Sequence, residues 1–226
     1  PTFARGRQRL LRAHKLGSDR AAYLLGMAYW DGMGCPKDPK EAVNWFTQAS
    51  DAGDLDATAT LGLALRNGTG IEKDEKKGQE YIKKAAEEKQ PKAMALLASD
   101  LLMGTHGEKE DPQGAFRLAK EAAAKEDPKG MLLLGKMLVT NAAPEFALVK
   151  GSQGTPEEGF RWVERAANAG DYEACFIIGA ANIAMSDTDA AHFIAGMMLG
   201  DIPYPADFGS AVGTTASLNP NGKYLA

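Results

Sequence analysis

The 226-residue chain repeats one sequence pattern at intervals of 36 or 37 residues, with one longer interval of 44, and this periodicity constrains its fold more than any other feature. Equivalent apolar positions in successive repeats are Leu25, Leu61, Leu97, Leu134 and Ile178. A second set of equivalent positions keeps the same intervals, at Asp38, Asp74, Asp111 and Thr155. Periods of this length are typical of stacked helical units, each of which buries an apolar face against its neighbour. The sequence therefore predicts an all-α solenoid.

Each repeat is predicted to form two antiparallel helices. In the first repeat, small and apolar residues recur every four positions from Ala21 to Tyr29, which indicates one face of a helix. Gly32 follows and can adopt the left-handed conformation that ends a helix. Asp38 is the expected N-cap of the second helix, with Pro39 in its first turn. Stacking would then bury the apolar face that one helix pair cannot hide by itself.

The pattern A-x-x-x-L-G-x-x-Y-x-x-G-x-G, followed by D-x-x-x-A-x-x-W and A-x-x-x-G, resembles the Sel1-like repeat. The first repeat matches this pattern at Ala21, Leu25, Gly26, Tyr29, Gly32, Gly34, Asp38, Ala42, Trp45, Ala49 and Gly53. The resemblance implies an all-α, right-handed α/α solenoid of antiparallel helix pairs.

The resemblance also sets the expected domain organisation. Residues 1–18 are predicted to form a helix that completes a preceding half repeat, and residues 200–226 a non-helical tail. About five repeats fill residues 19–199, at 21–56, 57–92, 93–129, 130–173 and a degenerate 174–199.

Net charge, cysteine content and hydropathy argue against nucleic-acid binding, a disulfide scaffold and a membrane-spanning segment. The net charge of −4 and the pI of about 5.5 give no electrostatic reason to expect nucleic acid. Cys35 and Cys175 lie in distant repeats, which argues against a disulfide scaffold. No apolar run approaches the ~18 residues that span a bilayer, so we expect membrane contact to be indirect only.

No catalytic constellation is visible in the sequence. His14, His106 and His192 stand singly, without metal-ligand spacing, and His106 fits an ordinary turn position. We therefore predict a non-enzymatic protein without a metal or cofactor. A β-lactam-binding or hydrolysing role, as linked to cysteine-rich bacterial relatives, is an alternative. The absence of a cysteine pair in each repeat disfavours it.

Three regions are candidates for binding partner proteins. The resemblance implies that first helices line an inner surface, and the predicted contact residues there are Tyr23, Met27, Trp30 and Arg66. The fourth repeat carries an insertion within residues 142–154, with the apolar side chains Phe146 and Leu148. The tail either caps the last repeat or is held by a partner, and its predicted anchors are Tyr204, Phe208 and Tyr224.

These features predict a scaffold or adaptor that supports assembly of a multiprotein complex inside the cell. The alternative is an accessory structural subunit of a large, membrane-associated mitochondrial complex. The Arg-rich, acid-poor residues 1–20 and the absence of an initiator methionine favour that alternative. A cytoplasmic location remains the other expectation.

Overall fold

A computed structural model of the chain describes residues 2–141 and 154–184, and these residues form ten α-helices and no strand. The helices are α1 Thr2–Lys15, α2 Asp19–Asp31, α3 Pro39–Asp51, α4 Leu55–Asn67, α5 Glu75–Glu87, α6 Pro91–Met103, α7 Pro112–Ala124, α8 Pro128–Asn141, α9 Pro156–Asn168 and α10 Tyr172–Ala184. The predicted all-α architecture is confirmed.

The ends of the helices form where the sequence predicts them. The Asp38 carboxylate accepts hydrogen bonds from the backbone N–H groups of Lys40 and Glu41, each at 3.1 Å, and so caps α3. Gly32 ends α2 in the left-handed conformation, with φ of 76°. Thr155 caps α9 in the same way as Asp38 caps α3. These local signals fix the lengths of the helices.

Glycines on the first helices let the two helices of a repeat pack closely. A Cβ atom placed on Gly26 would lie 2.5 Å from the ring of Phe46 in α3. A Cβ atom on Gly62 would lie 2.9 Å from both the carbonyl oxygen of Gly78 and Cγ1 of Ile82 in α5. Because a side chain larger than hydrogen does not fit at these positions without a shift, glycine there permits the close approach of the two helices.

The chain divides into two compact units, Pro1–Leu118 and Ala119–Ala226. In the first unit each helix from α1 to α5 packs on the next one along the chain, and α4 also contacts α6. In the second unit α8 packs on α9, and α9 on α10. Alanine dominates the buried positions, and the larger fully buried side chains include Leu25, Phe46 and Ile82 in the first unit.

Candidate functional site

The predicted aromatic contact residues of the first repeat lie together on α2 and are half-buried. Tyr23 and Trp30 both pack against Phe46, with ring centroids 5.9 Å and 5.8 Å apart. Met27 joins the same cluster. One side of each residue therefore belongs to the core, and only the remaining surface is available to a partner.

Residues at equivalent positions on α4 and α6 continue this half-buried surface. The first-helix face, as we call it, consists of Met27 and Trp30 on α2, Leu63 and Arg66 on α4, and Ser99 and Leu102 on α6. The intervening core positions of these helices are mostly buried alanine and leucine. The repeats therefore bury small residues at equivalent positions, such as Ala21, Ala57 and Ala93, while differing on the partly exposed face.

Arg66 is tied into an ion pair that connects α4 with α6. Its Nη1 lies 2.8 Å from Oδ2 of Asp100, and the two side chains are only 10% and 5% exposed. Nη1 also lies 3.5 Å from Oε1 of Gln79 and 3.4 Å from Nδ1 of His106. Arg66 thus acts as a link between the second and third repeats.

Asp100 is the centre of this cluster. Oδ2 accepts a second hydrogen bond from Nε2 of Gln79 at 3.1 Å, and Oδ1 lies 2.8 Å from Nδ1 of His106. The Gln79 amide also donates to Glu108 at 3.1 Å, and Glu108 forms an ion pair with Lys83 at 2.7 Å. We call the set Arg66, Gln79, Lys83, Asp100, His106 and Glu108 the polar junction.

The polar junction keeps its outer carboxylate ionised. Partial burial acts to raise the pKa of Glu108, but the hydrogen bonds from Lys83 and Gln79 outweigh it and lower that pKa. The charged form of Glu108 is therefore the one that the folded protein stabilises.

The third repeat has an altered turn at His106. Gly34 and Gly70 hold the corresponding position in the first two repeats, where a Cβ atom would collide with the backbone of Phe3 and of Pro39. His106 adopts a φ of 54°, an uncommon value for a non-glycine residue, and a Cβ atom placed on the following Gly107 would meet nothing within 4 Å. The turn is therefore not packed closely against neighbouring residues at Gly107. An open cleft of about 790 Å³ lies between this turn and residues 71–77.

Sequence reasoning missed the polar junction, although a signal was present. Three polar residues stand where other repeats carry apolar or small ones: Arg66 at the position of Trp30, Asp100 at that of Ala64, and His106 at that of Gly70. Three such exchanges in adjacent repeats indicate a shared cluster.

A second set of charged residues links the starts of α2, α4 and α6. Arg20 forms ion pairs with Asp54, at 3.1 Å, and with Asp56. Nε2 of Gln90 donates to Asp56 at 2.7 Å, and the Arg20 guanidinium lies 4.5 Å from the centroid of the Tyr23 ring. We call this set the Arg20 junction.

The contacts of the Arg20 junction shift the pKa values of Asp56 and Tyr23 in opposite directions. Burial alone would raise the pKa of Asp56, but the hydrogen bonds from Gln90 and Arg20 lower it. Burial raises the pKa of Tyr23, and the Asp56 charge adds to this effect.

Within residues 2–141 and 154–184, no group of three or more His, Cys, Asp or Glu side chains is arranged to hold a metal ion. In the same part of the chain, no helix is both long and apolar enough to cross a bilayer.

The sequence model of the Sel1 repeat matches residues 19–54, 56–89, 91–127 and 152–171. The chain belongs to the Sel1 repeat family. This membership confirms the predicted Sel1-like repeat architecture. Sel1 repeats commonly form protein-interaction scaffolds and are typically non-catalytic. No curated protein matches the chain.

Solved structures with the same fold include a Sel1 repeat protein from Oxalobacter formigenes, at 23% identity and a TM-score of 0.58 over 78% of this chain and 49% of that one. They also include c5321, a protective antigen of uropathogenic Escherichia coli, at 20% identity and a TM-score of 0.51 over 88% and 48%. The immunity protein Pa5087 from Pseudomonas aeruginosa matches at 16% identity and a TM-score of 0.56 over 88% and 72%. The chain spans about half the length of the first two proteins, and the likeness shows the fold alone.

The Sel1 repeats described by the structure carry four of the nine predicted contact residues. Tyr23, Met27 and Trp30 lie side by side on α2, and Arg66 lies on α4 within the polar junction. The other predicted residues, Phe146, Leu148, Tyr204, Phe208 and Tyr224, fall outside the described residues.

Proposed function

We propose that this Sel1 repeat protein is a non-enzymatic scaffold that binds other proteins through its first-helix face and supports assembly of a multiprotein complex. The observation that carries the proposal is the difference between buried and half-buried positions on α2, α4 and α6. Equivalent buried positions keep small residues, as at Ala21, Ala57 and Ala93, whereas a half-buried position changes from Met27 to Leu63 to Ser99. A surface that serves only to stack the repeats has no need of such variation.

The chemistry of the first-helix face, and of Tyr23 beside it on α2, suits protein binding. Trp, Tyr, Met and Arg are the residues enriched in the cores of protein interfaces. Tyr23 and Trp30 are already held by Phe46, so a partner that contacts them orders few additional side-chain torsions. Pre-ordered aromatic side chains therefore favour association.

The proposal is tested with two matched substitutions in the first repeat. Met27→Glu places a charge on the first-helix face, and Met33→Glu places the same charge in the turn after α2, where the side chain is 41% exposed. Each tagged variant and the unmodified chain are used for affinity purification with quantitative mass spectrometry. We expect Met27→Glu to reduce recovery of the specific partners by at least about tenfold, because a buried unpaired charge costs several kcal/mol.

The Met33→Glu variant should recover the same partners as the unmodified chain. A Leu63→Glu variant extends the test to α4 and should behave like Met27→Glu. Equal recovery by all variants, each shown to be folded by circular dichroism, would remove the first-helix face from the proposal.

The alternative form of the proposal is a permanently bound accessory subunit of a mitochondrial complex. The five basic and no acidic residues of α1 favour it. Fractionation of cells that express the tagged full-length protein tests this alternative. Co-migration with a large mitochondrial complex supports it, whereas a free cytoplasmic pool supports the adaptor.

A further inference from the structure

Charge is unevenly distributed along the chain, and α1 carries the positive part. Arg5, Arg7, Arg9, Arg12 and Lys15 give α1 a formal charge of +5 with no acidic residue. Because the whole chain has a net charge of −4, the remaining residues together carry −9. A basic helix on an otherwise acidic protein is a candidate surface for an anionic partner.

The two sides of α1 have different environments. On one side, Nη1 of Arg7 donates to the hydroxyl of Tyr29 at 3.1 Å, and the ring of His14 meets Trp45 edge-on with centroids 5.1 Å apart. Leu10 and Leu11 are half-buried. The side with Arg7 and His14 therefore holds α1 on the first repeat.

The opposite side presents a row of arginines to solvent. Arg5, Arg9 and Arg12 follow one another at i, i+4 and i+7, which places them along one face of the helix, and all three are exposed. Among residues 2–141 and 154–184, no carboxylate forms an ion pair with any of them. Leu16, 82% exposed, continues the row. We call these four residues the arginine row.

We propose that the arginine row binds an acidic segment of a partner protein whose carboxylates are spaced as on one face of a helix. A guanidinium group can donate two parallel hydrogen bonds to a carboxylate. One exposed ion pair contributes little, so recognition needs several pairs in register. Three arginines in one row supply that register, and Leu16 adds an apolar contact at its end.

Two features favour a protein segment over an anionic membrane. A helix that lies in a bilayer surface inserts an apolar face, but the Leu10 and Leu11 positions of α1 are already half-buried in the fold. The remaining −9 charge also repels an extended anionic surface, whereas a short acidic segment needs to approach α1 alone. The arginine row is distinct from the first-helix face, so the two proposals stand separately.

The experiment measures fluorescence anisotropy of a labelled helical peptide with Glu at i, i+4 and i+7 and Leu at i+11, added to the full 226-residue chain. A peptide with Gln at the three Glu positions, and one with the three Glu residues at non-helical spacing, are the peptide controls. We expect both controls to bind at least about tenfold more weakly than the Glu peptide, because they lose the charge or the register.

Two protein variants with the same change in charge complete the test. Arg5→Glu/Arg9→Glu/Arg12→Glu should weaken binding of the Glu peptide by at least about tenfold. Lys40→Glu/Lys76→Glu/Lys84→Glu, at exposed positions of α3 and α5, should change it by less than about threefold at 0.15 M salt because these side chains lie outside the row. If the first variant does not fold, Arg5→Gln/Arg9→Gln/Arg12→Gln replaces it.

Three results would overturn the proposal: no binding of the Glu peptide, equal weakening by both charge variants, or equal binding of the two Glu spacings. Vesicles with about 30% anionic lipid test, in parallel, whether the arginine row binds an anionic membrane. Row-dependent binding to these vesicles without binding of the Glu peptide would assign the row to a membrane instead. None of these results affects the test of the first-helix face.

Discussion

At the scale of single residues, glycine decides how closely the two helices of a repeat pack. The Gly62→Ala substitution would place Cβ 2.9 Å from the Gly78 carbonyl oxygen, a backbone atom that cannot move aside. We expect the free energy of unfolding, measured by urea denaturation, to fall by about 1–3 kcal/mol. Gly6→Ala in α1 is the control, because its Cβ meets nothing within 4 Å. Alanine favours helix, so this control should be neutral or stabilising by up to about 1 kcal/mol.

Most residue-scale features can be predicted from the sequence because they depend on near neighbours. The caps at Asp38 and Thr155 and the left-handed Gly32 follow from local rules, and all three are confirmed. His106 could not be assigned in this way. Its partner Asp100 lies six residues earlier, within α6, and the turn that carries His106 is one residue longer than in the first two repeats. The length of a turn does not specify where a ring will point.

At the scale of helices, the polar junction links α4 to α6 through buried charges. Asp100→Ala would leave the Arg66 guanidinium buried without its carboxylate. We expect a loss of about 3–5 kcal/mol in the free energy of unfolding. The double variant Asp100→Ala/Arg66→Leu introduces residues that neighbouring repeats carry at the equivalent positions. Ala64 is equivalent to Asp100, and Leu102 is equivalent to Arg66. This double variant should recover most of the loss in urea denaturation, because an apolar pair replaces a buried ion pair at little cost. A double variant as unstable as Asp100→Ala would contradict this account.

The Arg20 junction predicts a pH dependence of stability. The pKa of Asp56 is lowered below its ordinary value of 3.8, so its ionised form stabilises the folded state. This stabilisation is present above pH 3.8 and is lost as the pH falls through the lower pKa of the folded state. The difference in urea midpoint between the unmodified chain and Asp56→Asn should therefore be largest near neutral pH and should shrink in acid. Asp51→Asn, an exposed position in α3, is the control and should show no such change.

The sequence predicts which residues face a neighbouring repeat but not which of them pair. Arg20 and Asp56 occupy equivalent positions 36 residues apart, so their contact follows once stacking is known. The contact of Arg66 with Asp100 joins non-equivalent positions. It depends on the relative rotation of α4 and α6, which side-chain packing sets and periodicity does not.

At the scale of the whole described chain, contacts between neighbours predict graded stability. In the unit Pro1–Leu118, helices contact mainly the next helix along the chain. Phe46→Ala removes a fully buried ring and should cost about 3–5 kcal/mol. Amide hydrogen exchange should then speed up most in α2 and α3, less in α4 and α5, and least in α6. Equal acceleration in all five helices from α2 to α6 would indicate a single cooperative unit instead.

The glycine contacts inside each repeat also determine where the first unit can bend. Gly26 against Phe46 and Gly62 against Gly78 show that the two helices of a repeat are closely packed, so we expect each pair to move as a rigid unit. Bending of the first unit is then expected between neighbouring pairs. The ion pairs of the Arg20 junction are partly exposed, so dissolved salt screens and weakens them. The Arg66–Asp100 ion pair of the polar junction is buried and is screened much less. As ionic strength rises, we expect the contact between the first and second repeats to weaken while that between the second and third is unchanged. Amide hydrogen exchange measured at low and high salt would then speed up at the first contact and not at the second.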